Sequence, residues 1–262
     1  MEFHTLPQDL YPVILPFTFI MGLAMGSFAN VLIYRLPRNM SIIKPSSHCP
    51  HCKKSISPLE NIPLISYIFL KGKCRSCGAR ISLQYPIVEL MMGILFTAVM
   101  IKCGFNWLFL FYSGFCFILV VHAFIDYQHF LLLDVLNIAG AVLGLLCLIL
   151  VPDLSLKNGL FGALAGGGAL LLIYIFTRLV FKREGMGIGD IKTAAVYGLF
   201  LGPIHTGFML LAASLIGVIW GIIRLIAKGE KMLPFGTLMA VSSIVTLFWG
   251  GDIIGWYFNL IP

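Results

Sequence analysis

The sequence predicts an all-α polytopic membrane protein of about eight transmembrane helices, with a small polar module inserted after the first. Three observations predict it. Of the 262 residues, 59% are hydrophobic and 11% charged, with a mean hydropathy of +0.97, whereas a soluble domain carries about 25% charged residues. Apolar stretches near the roughly 20 residues that cross a bilayer recur along the chain. The one long polar stretch, residues 35–85, stands apart from them. A soluble enzyme, a disordered chain and a disulfide-stapled secreted domain are excluded, because 18 Lys and Arg with 11 Asp and Glu cannot hold so much apolar surface in water.

The expected spans cover residues 11–34, 86–101, 107–125, 135–151, 160–181, 191–201, 206–226 and 235–258. The sixth is short and is broken by Gly202-Pro203. Glycines Gly162, Gly166, Gly167 and Gly168 in the fifth read as small-residue helix packing, not as a phosphate loop, since no strand precedes them. Three domains follow: the first span (1–34), the polar module (35–85) and a seven-span membrane domain (86–262).

Lys and Arg collect on the cytosolic side of membrane proteins. With the N-terminus outside, residues 35–85 are cytosolic and hold nine basic residues, from Arg35 to Arg80. Arg178, Lys182, Arg183, Lys192, Arg224, Lys228 and Lys231 fall on the same side, leaving only Lys102 and Lys157 outside. Before the first span stand Glu2 and Asp9 and no Lys or Arg, so the positive start of a cleaved signal peptide is missing. The net charge of +7 thus reflects topology and anionic lipid headgroups, and nucleic acid is not an expected partner.

Within the module, Cys49-Pro50-His51-Cys52 and Cys74-Arg75-Ser76-Cys77 form two C-x-x-C knuckles 21 residues apart. Four thiolates so spaced close a tetrahedral zinc site, and a reducing cytosol argues against disulfides. The polar loop has little core of its own, so the metal is the expected source of its order. A complete four-cysteine shell leaves no position for water, which makes the zinc structural. His48 and His51 flank the knuckles; either could replace a thiolate or be a surface neighbour. Cys103, Cys116 and Cys147 lie in or beside spans as small apolar residues.

Ionisable groups at membrane depth point to function. Asp126 ends the third span and Asp190 begins the sixth, after Gly185-Met186-Gly187-Ile188-Gly189. The expected topology brings both to the cytosolic face at similar depth. Two such carboxylates suit an aspartyl protease, in which one takes a proton from water while the other stays protonated against the scissile carbonyl. Gly187 and Gly189 would let a substrate backbone approach. Bland alternatives stand beside this: Asp190 as a helix N-cap, Asp126 as a solvated interfacial carboxylate, and Asp134 as a competing first carboxylate or another N-cap. Glu89 reads as a structural hydrogen-bond acceptor within the bundle, with a catalytic role as the alternative. His122, one turn before Asp126, reads as its orienting partner or as a packed histidine.

Taken together, these motifs resemble the bacterial prepilin peptidases, also called type IV leader peptidases, over nearly the whole chain. The resemblance rests on Gly26-Ser27-Phe28-Ala29-Asn30, Tyr34-Arg35-Leu36-Pro37, the paired knuckles enclosing Glu60-Asn61-Ile62-Pro63, Gln84-Tyr85-Pro86-Ile87-Val88-Glu89-Leu90, Ile125-Asp126 and Gly187-Ile188-Gly189-Asp190. One departure stands out: Leu132-Leu133-Asp134 replaces the family's usual Ile-Pro-Asp. The resemblance implies a GxGD-type aspartyl protease of the bacterial inner membrane, with Asp126 and Asp190 catalytic. It also implies cleavage of the short leader from type IV prepilins and type II secretion pseudopilins, then methylation of the new N-terminus from S-adenosylmethionine. The residues themselves display no nucleotide-binding loop. By resemblance alone the methyl donor falls to the cytosolic module, with Glu60, Gly72 and Lys73 as candidates. The competing readings are a transporter or scaffold whose zinc module recruits a partner, and a presenilin-like intramembrane protease. The latter lacks support from any Pro-Ala-Leu motif near the C-terminus.

Overall fold

An apolar chain in a bilayer satisfies its backbone within helices, and that constraint governs every long element here. The structure, a computed structural model, describes residues 10–182, 186–228 and 233–259. Glu2, Asp9, Arg183, Gly185 and Lys231, used above, lie outside those residues. Among the described residues all regular elements are helical, apart from isolated antiparallel bridges pairing His48 with Ser55 and Lys73 with Arg80. The chain forms two compact units, Met1–Phe109 and Leu110–Pro262.

The first unit contains α1 (Tyr11–Arg35), the polar module with the short α2 (Ile65–Phe69), and α3 (Gln84–Cys103). Helices α1 and α3 approach at glycines: a Cβ on Gly22 would stand 2.5 Å from the Met92 carbonyl oxygen, and one on Gly26 2.5 Å from Glu89 Cα. One turn beyond Gly26, Asn30 is buried and spans the contact, its Nδ2 donating to the Gly26 carbonyl (3.3 Å) and the Tyr85 carbonyl (3.1 Å). Arg35 closes α1 onto the module by donating to the carbonyls of Ser41 (2.9 Å) and Pro45 (2.7 Å). Between Leu36 and Leu83 only Cys49 and Ser66 are buried. The module therefore has almost no apolar core, as its composition requires.

The second unit follows α4 (Trp107–His129), its first residues lying in the first unit, with α5 (Asp134–Leu150), α6 (Leu156–Phe181), α7 (Ile188–Lys228) and α8 (Phe235–Asn259). Six of the helices described are long and apolar enough to cross a membrane. The eight expected stretches are all helical, and the difference in number has two causes. Helix α5, with 17 residues, reaches about 26 Å at 1.5 Å per residue, short of the ~30 Å hydrocarbon core. The expected sixth and seventh spans are the two halves of α7, which runs over 41 residues and breaks as expected at Gly202 (φ 73°, ψ 171°). A positive φ suits glycine, and Pro203 supplies no N–H to carry the ladder across.

Glycine also sets the α6–α7 contact. A Cβ on Gly162 would run into the Gly198 carbonyl, and one on Gly166 into the Ala194 carbonyl, so the glycine run is a packing stripe as expected. Helix α7 is tied to α5 by Thr193 Oγ1 donating to Asn137 Oδ1 at 2.9 Å. Against α4, Phe115 stacks on Phe200 at 4.2 Å between ring centroids and meets Tyr197 edge-on at 5.6 Å.

A Gly162→Ala substitution is expected to destabilise the protein in detergent by about 1–3 kcal/mol through overpacking. Gly207→Ala, where a Cβ meets nothing within 4 Å, serves as the control and should melt at or above the wild-type temperature. Equal melting temperatures for the two variants would show that the α6–α7 contact does not depend on glycine.

Candidate active site and metal centre

The two knuckles fold alike. In each, the first cysteine's N–H donates to a carbonyl five residues on (Cys49 to Lys54, 3.0 Å; Cys74 to Ala79, 2.8 Å). Its carbonyl accepts the N–H four residues on, from Lys53 at 2.9 Å and Gly78 at 2.8 Å. The residue after the second cysteine takes the left-handed conformation both times, Lys53 at φ 61° and Gly78 at φ 70°. This repeat turns four thiols inward: the sulfurs of Cys49, Cys52, Cys74 and Cys77 all lie within 4.8 Å of one another, with Cys49 and Cys77 3.8 Å apart. A tetrahedron with metal–sulfur bonds of about 2.3 Å has sulfur–sulfur edges of about 3.8 Å, so the four thiols fit a tetrahedral metal. Neither His48 nor His51 joins the cluster; His48 Nδ1 sits 3.1 Å from the Ser46 carbonyl.

The electrostatics agree with a cationic centre. The backbone N–H of Cys52 lowers the Cys49 thiol to about 6, helped by the His51 N–H and neighbouring thiols and opposed by desolvation. At Cys77 the Ala79 N–H favours the thiolate, but desolvation and the other three thiols outweigh it and push the group up to about 11. A backbone N–H thus favours the thiolate at both cysteines, and a divalent cation would balance the charge that the clustered thiols gather.

In the second unit, Asp126 is only 5% exposed near the end of α4. Its Oδ2 accepts the Thr237 N–H at 2.7 Å and lies 3.1 Å from the Thr237 hydroxyl. Thr237 stands in the first turn of α8, where backbone N–H groups have no helical acceptor and the dipole favours a carboxylate. The same hydroxyl is 2.9 Å from the Ala123 carbonyl. It has one proton for two acceptors. With the proton on Ala123, the hydroxyl oxygen can receive a proton from a neutral Asp126; with the proton turned to Asp126, it serves the ionised form.

Asp190, in the first turn of α7, accepts the Gly187 N–H at 3.2 Å, as the third helical residue of a capping box does. Leu132 lies against Gly189, the neighbour of Asp190, and against Gly236, whose own Cβ position is 3.1 Å from Asp126 Cγ, so the fold brings the two aspartates to the same loop. His122 does not reach Asp126: its Nδ1 is 3.1 Å from the Tyr197 hydroxyl, forming a packed pair beneath the site.

Asp134 is engaged elsewhere, its carboxylate taking Lys192 Nζ at 2.8 and 3.0 Å. It caps nothing, since the helix-capping position of α5 is Leu133. Leu133 adopts φ −80° and ψ 131°, close to what proline would impose, so the turn survives without it. The loop it belongs to changes the role of Gly189. A Cβ there would stand 3.1 Å from Leu132 Cβ, so Leu132 already occupies that face, and only Gly187 keeps an exposed backbone.

Sequence reasoning missed Gly236 and Thr237. A Cβ on Gly236 would stand 2.8 Å from Leu132 and 3.1 Å from Asp126 Cγ, so this glycine admits the carboxylate to the start of α8. The available signal was Pro234-Phe235-Gly236-Thr237 opening an apolar helix, with a hydroxyl residue in its first turn.

The first unit also encloses a cavity of about 360 Å³ between α1, the module and α3. Glu60 lines it, while Gly72 and Lys73 do not. The Glu60 carboxyl is held below its ordinary range, first by the Ser57 N–H and then by Arg75, against a desolvation penalty. Glu89, 7% exposed, lines the cavity and accepts the Leu64 N–H at 2.8 Å, so its partner comes from the polar module and not from within the bundle as expected.

Comparison with known proteins agrees with this arrangement. The profile of the Bacterial Peptidase A24 N-terminal domain matches residues 20–103, and that of the Type IV leader peptidase family matches residues 113–222. A prepilin leader peptidase/N-methyltransferase of Aeromonas hydrophila is 34% identical over 281 residues, covering 97% of this chain and 96% of its own length. Proteins of the same name from Pseudomonas aeruginosa and Neisseria gonorrhoeae are 35% and 32% identical, covering 92% and 94% of this chain and 92% and 93% of their own. No solved structure matches the chain.

Purified protein is expected to carry about one tetrahedral metal ion per chain, measured by elemental analysis. Cys49→Ser or a strong chelator should release it and open the module to trypsin at Lys53, Lys71 and Lys73. A metal-free module that still resists trypsin would show that the thiols do not order it.

Proposed function

The chain belongs to the type IV leader peptidase family, and from that premise we propose that it is a membrane aspartyl endopeptidase that also methylates its product. Its substrates are prepilins and pseudopilins, whose short leader it removes at the cytosolic face of the bacterial inner membrane. It then transfers a methyl group from S-adenosylmethionine to the new N-terminus. The observation that carries the proteolytic half is the pairing of Asp126 and Asp190 at helix ends, each held by a backbone amide. The distribution of Lys and Arg supports a periplasmic N-terminus with the module and aspartates on the cytosolic side.

In this reading the two carboxylates share one proton, because like charges at close range do not both ionise readily. The ionised one takes a proton from water as the water oxygen bonds to the scissile carbonyl carbon. The protonated one hydrogen-bonds the carbonyl oxygen as negative charge develops there. Collapse of the tetrahedral intermediate breaks the C–N bond, and the leaving amine takes a proton from the pair. Thr237 positions Asp126 through the whole cycle. Cys49, Cys52, Cys74 and Cys77 would hold a zinc ion that orders the module, and with four thiolates around it the ion would serve structure and not hydrolysis.

Asp126→Asn and Asp190→Asn should each slow leader removal from a co-expressed prepilin by about 10²–10⁴-fold or more, read as a gel shift, while Asp134→Asn still processes it. Normal processing by either of the first two removes that residue from the mechanism. Thr237→Val, which keeps the N–H and loses the hydroxyl, should lower kcat about 10-fold or more with KM little changed, the scale of a hydrogen bond to a charged group. Thr237→Pro, which also removes the N–H, should cost more, and Thr237→Ser should restore the rate. An inactive Ser variant would refute the hydroxyl's role.

A further inference from the structure

The polar module leaves an apolar face uncovered. Its short helix α2 turns Ser66 and Tyr67 to the wall of the cavity, with Leu64 and Leu70 flanking them, while Ile65, Ile68 and Phe69 have no part in that wall. The Ser66 hydroxyl donates to the Leu59 carbonyl at 2.9 Å and fixes which side of α2 faces in. On the other side Ile65 is 50% exposed, Ile68 71% and Phe69 82%. Three large apolar side chains on a helix of five residues form a contiguous patch, and such a patch marks an interaction site.

Helix α3 fixes the depth of that face. Its 20 residues rise about 30 Å, which the ~30 Å hydrocarbon core takes up in full, so Gln84 stands at one boundary of the core. Glu89 lies five residues further in, about 7.5 Å along the axis, and its side chain leans back toward the helix start. The Leu64 N–H donates to that carboxylate at 2.8 Å, which holds the residue before α2 within about one turn of the boundary. Charge points the same way. Residues 35–85 carry nine basic residues against one acid, Glu60, and the exposed Lys71 and Lys73 directly follow α2. Depth, apolar face and cationic flank together fit an anionic lipid surface. We propose that α2 is an interfacial anchor: Ile65, Ile68 and Phe69 enter the boundary between headgroups and acyl chains, with Lys71 and Lys73 among anionic headgroups. The bilayer then supplies apolar burial that the module's own composition cannot.

The test uses the full-length, metal-loaded protein in vesicles of phosphatidylcholine, alone or mixed with phosphatidylglycerol, with a prepilin added. The photoreactive residue benzoylphenylalanine is incorporated at position 67, 68 or 69, and the adduct formed on illumination is identified by its mass. Metal content and melting temperature report whether each variant is folded. Positions 68 and 69 should capture lipid about tenfold or more above position 67, which lies on the inward side of the same helix. Phosphatidylglycerol should raise that capture, and Lys71→Gln with Lys73→Gln should cancel the rise. Equal lipid capture at all three positions would overturn the anchor. So would the absence of a lipid adduct at 68 and 69, or an adduct there to the prepilin, to a second copy or to another part of the chain. The identity of the adduct at 68 and 69 decides the matter even if position 67 does not tolerate the change. Capture that is indifferent to phosphatidylglycerol would overturn the part given to the two lysines.

Discussion

The contact between the Thr237 N–H and the Asp126 carboxylate, 2.7 Å long, is the interaction on which the second unit's site depends. A carboxylate that is 5% exposed needs a donor, and in an apolar bundle the start of a helix is where donors are free. Bringing α8 to it requires Gly236, since a side chain there would collide with Asp126 and Leu132. Leu132 in turn lies against Gly189, one residue before Asp190. A single hydrogen bond thus places α4, the loop before α5, and the starts of α7 and α8 around the aspartate pair.

The first unit solves a different problem. Its module buries only Cys49 and Ser66 between Leu36 and Leu83, too little apolar surface to offset the entropy of ordering some fifty residues. The duplicated knuckle replaces a core. Each copy uses the same two backbone hydrogen bonds and the same left-handed residue, and the four sulfurs close on one point. Lys53 adopts that conformation without being glycine, which fits a fold stabilised mainly at its centre.

Much of this was legible in the sequence. The helices, the packing glycines, the cysteine cluster and both aspartates could be read directly, because hydropathy and C-x-x-C spacing are local signals that a bilayer and a metal amplify. What could not be read depends on contacts distant in sequence. Thr237 meets Asp126 across 111 residues, and nothing in either segment announces the other. Gly189 looked free for a substrate because its cover, Leu132, comes from another loop. The break in α7 at Gly202 was legible as well, because glycine followed by proline interrupts a helix.

The acids near the membrane are held in two ways. Asp134 is paired with Lys192. Asp126, Asp190 and Glu89 each accept a backbone N–H instead, from Thr237, Gly187 and Leu64. An amide does not titrate near neutral pH and can donate to a carboxylate or to the carbonyl oxygen of a carboxylic acid, so it fixes position without fixing charge. In the proposed peptidase mechanism Asp126 and Asp190 gain and lose a proton in every turnover, and that arrangement suits them. Both units use such amides: Thr237 and Gly187 hold the two aspartates at helix starts, and Leu64 holds Glu89.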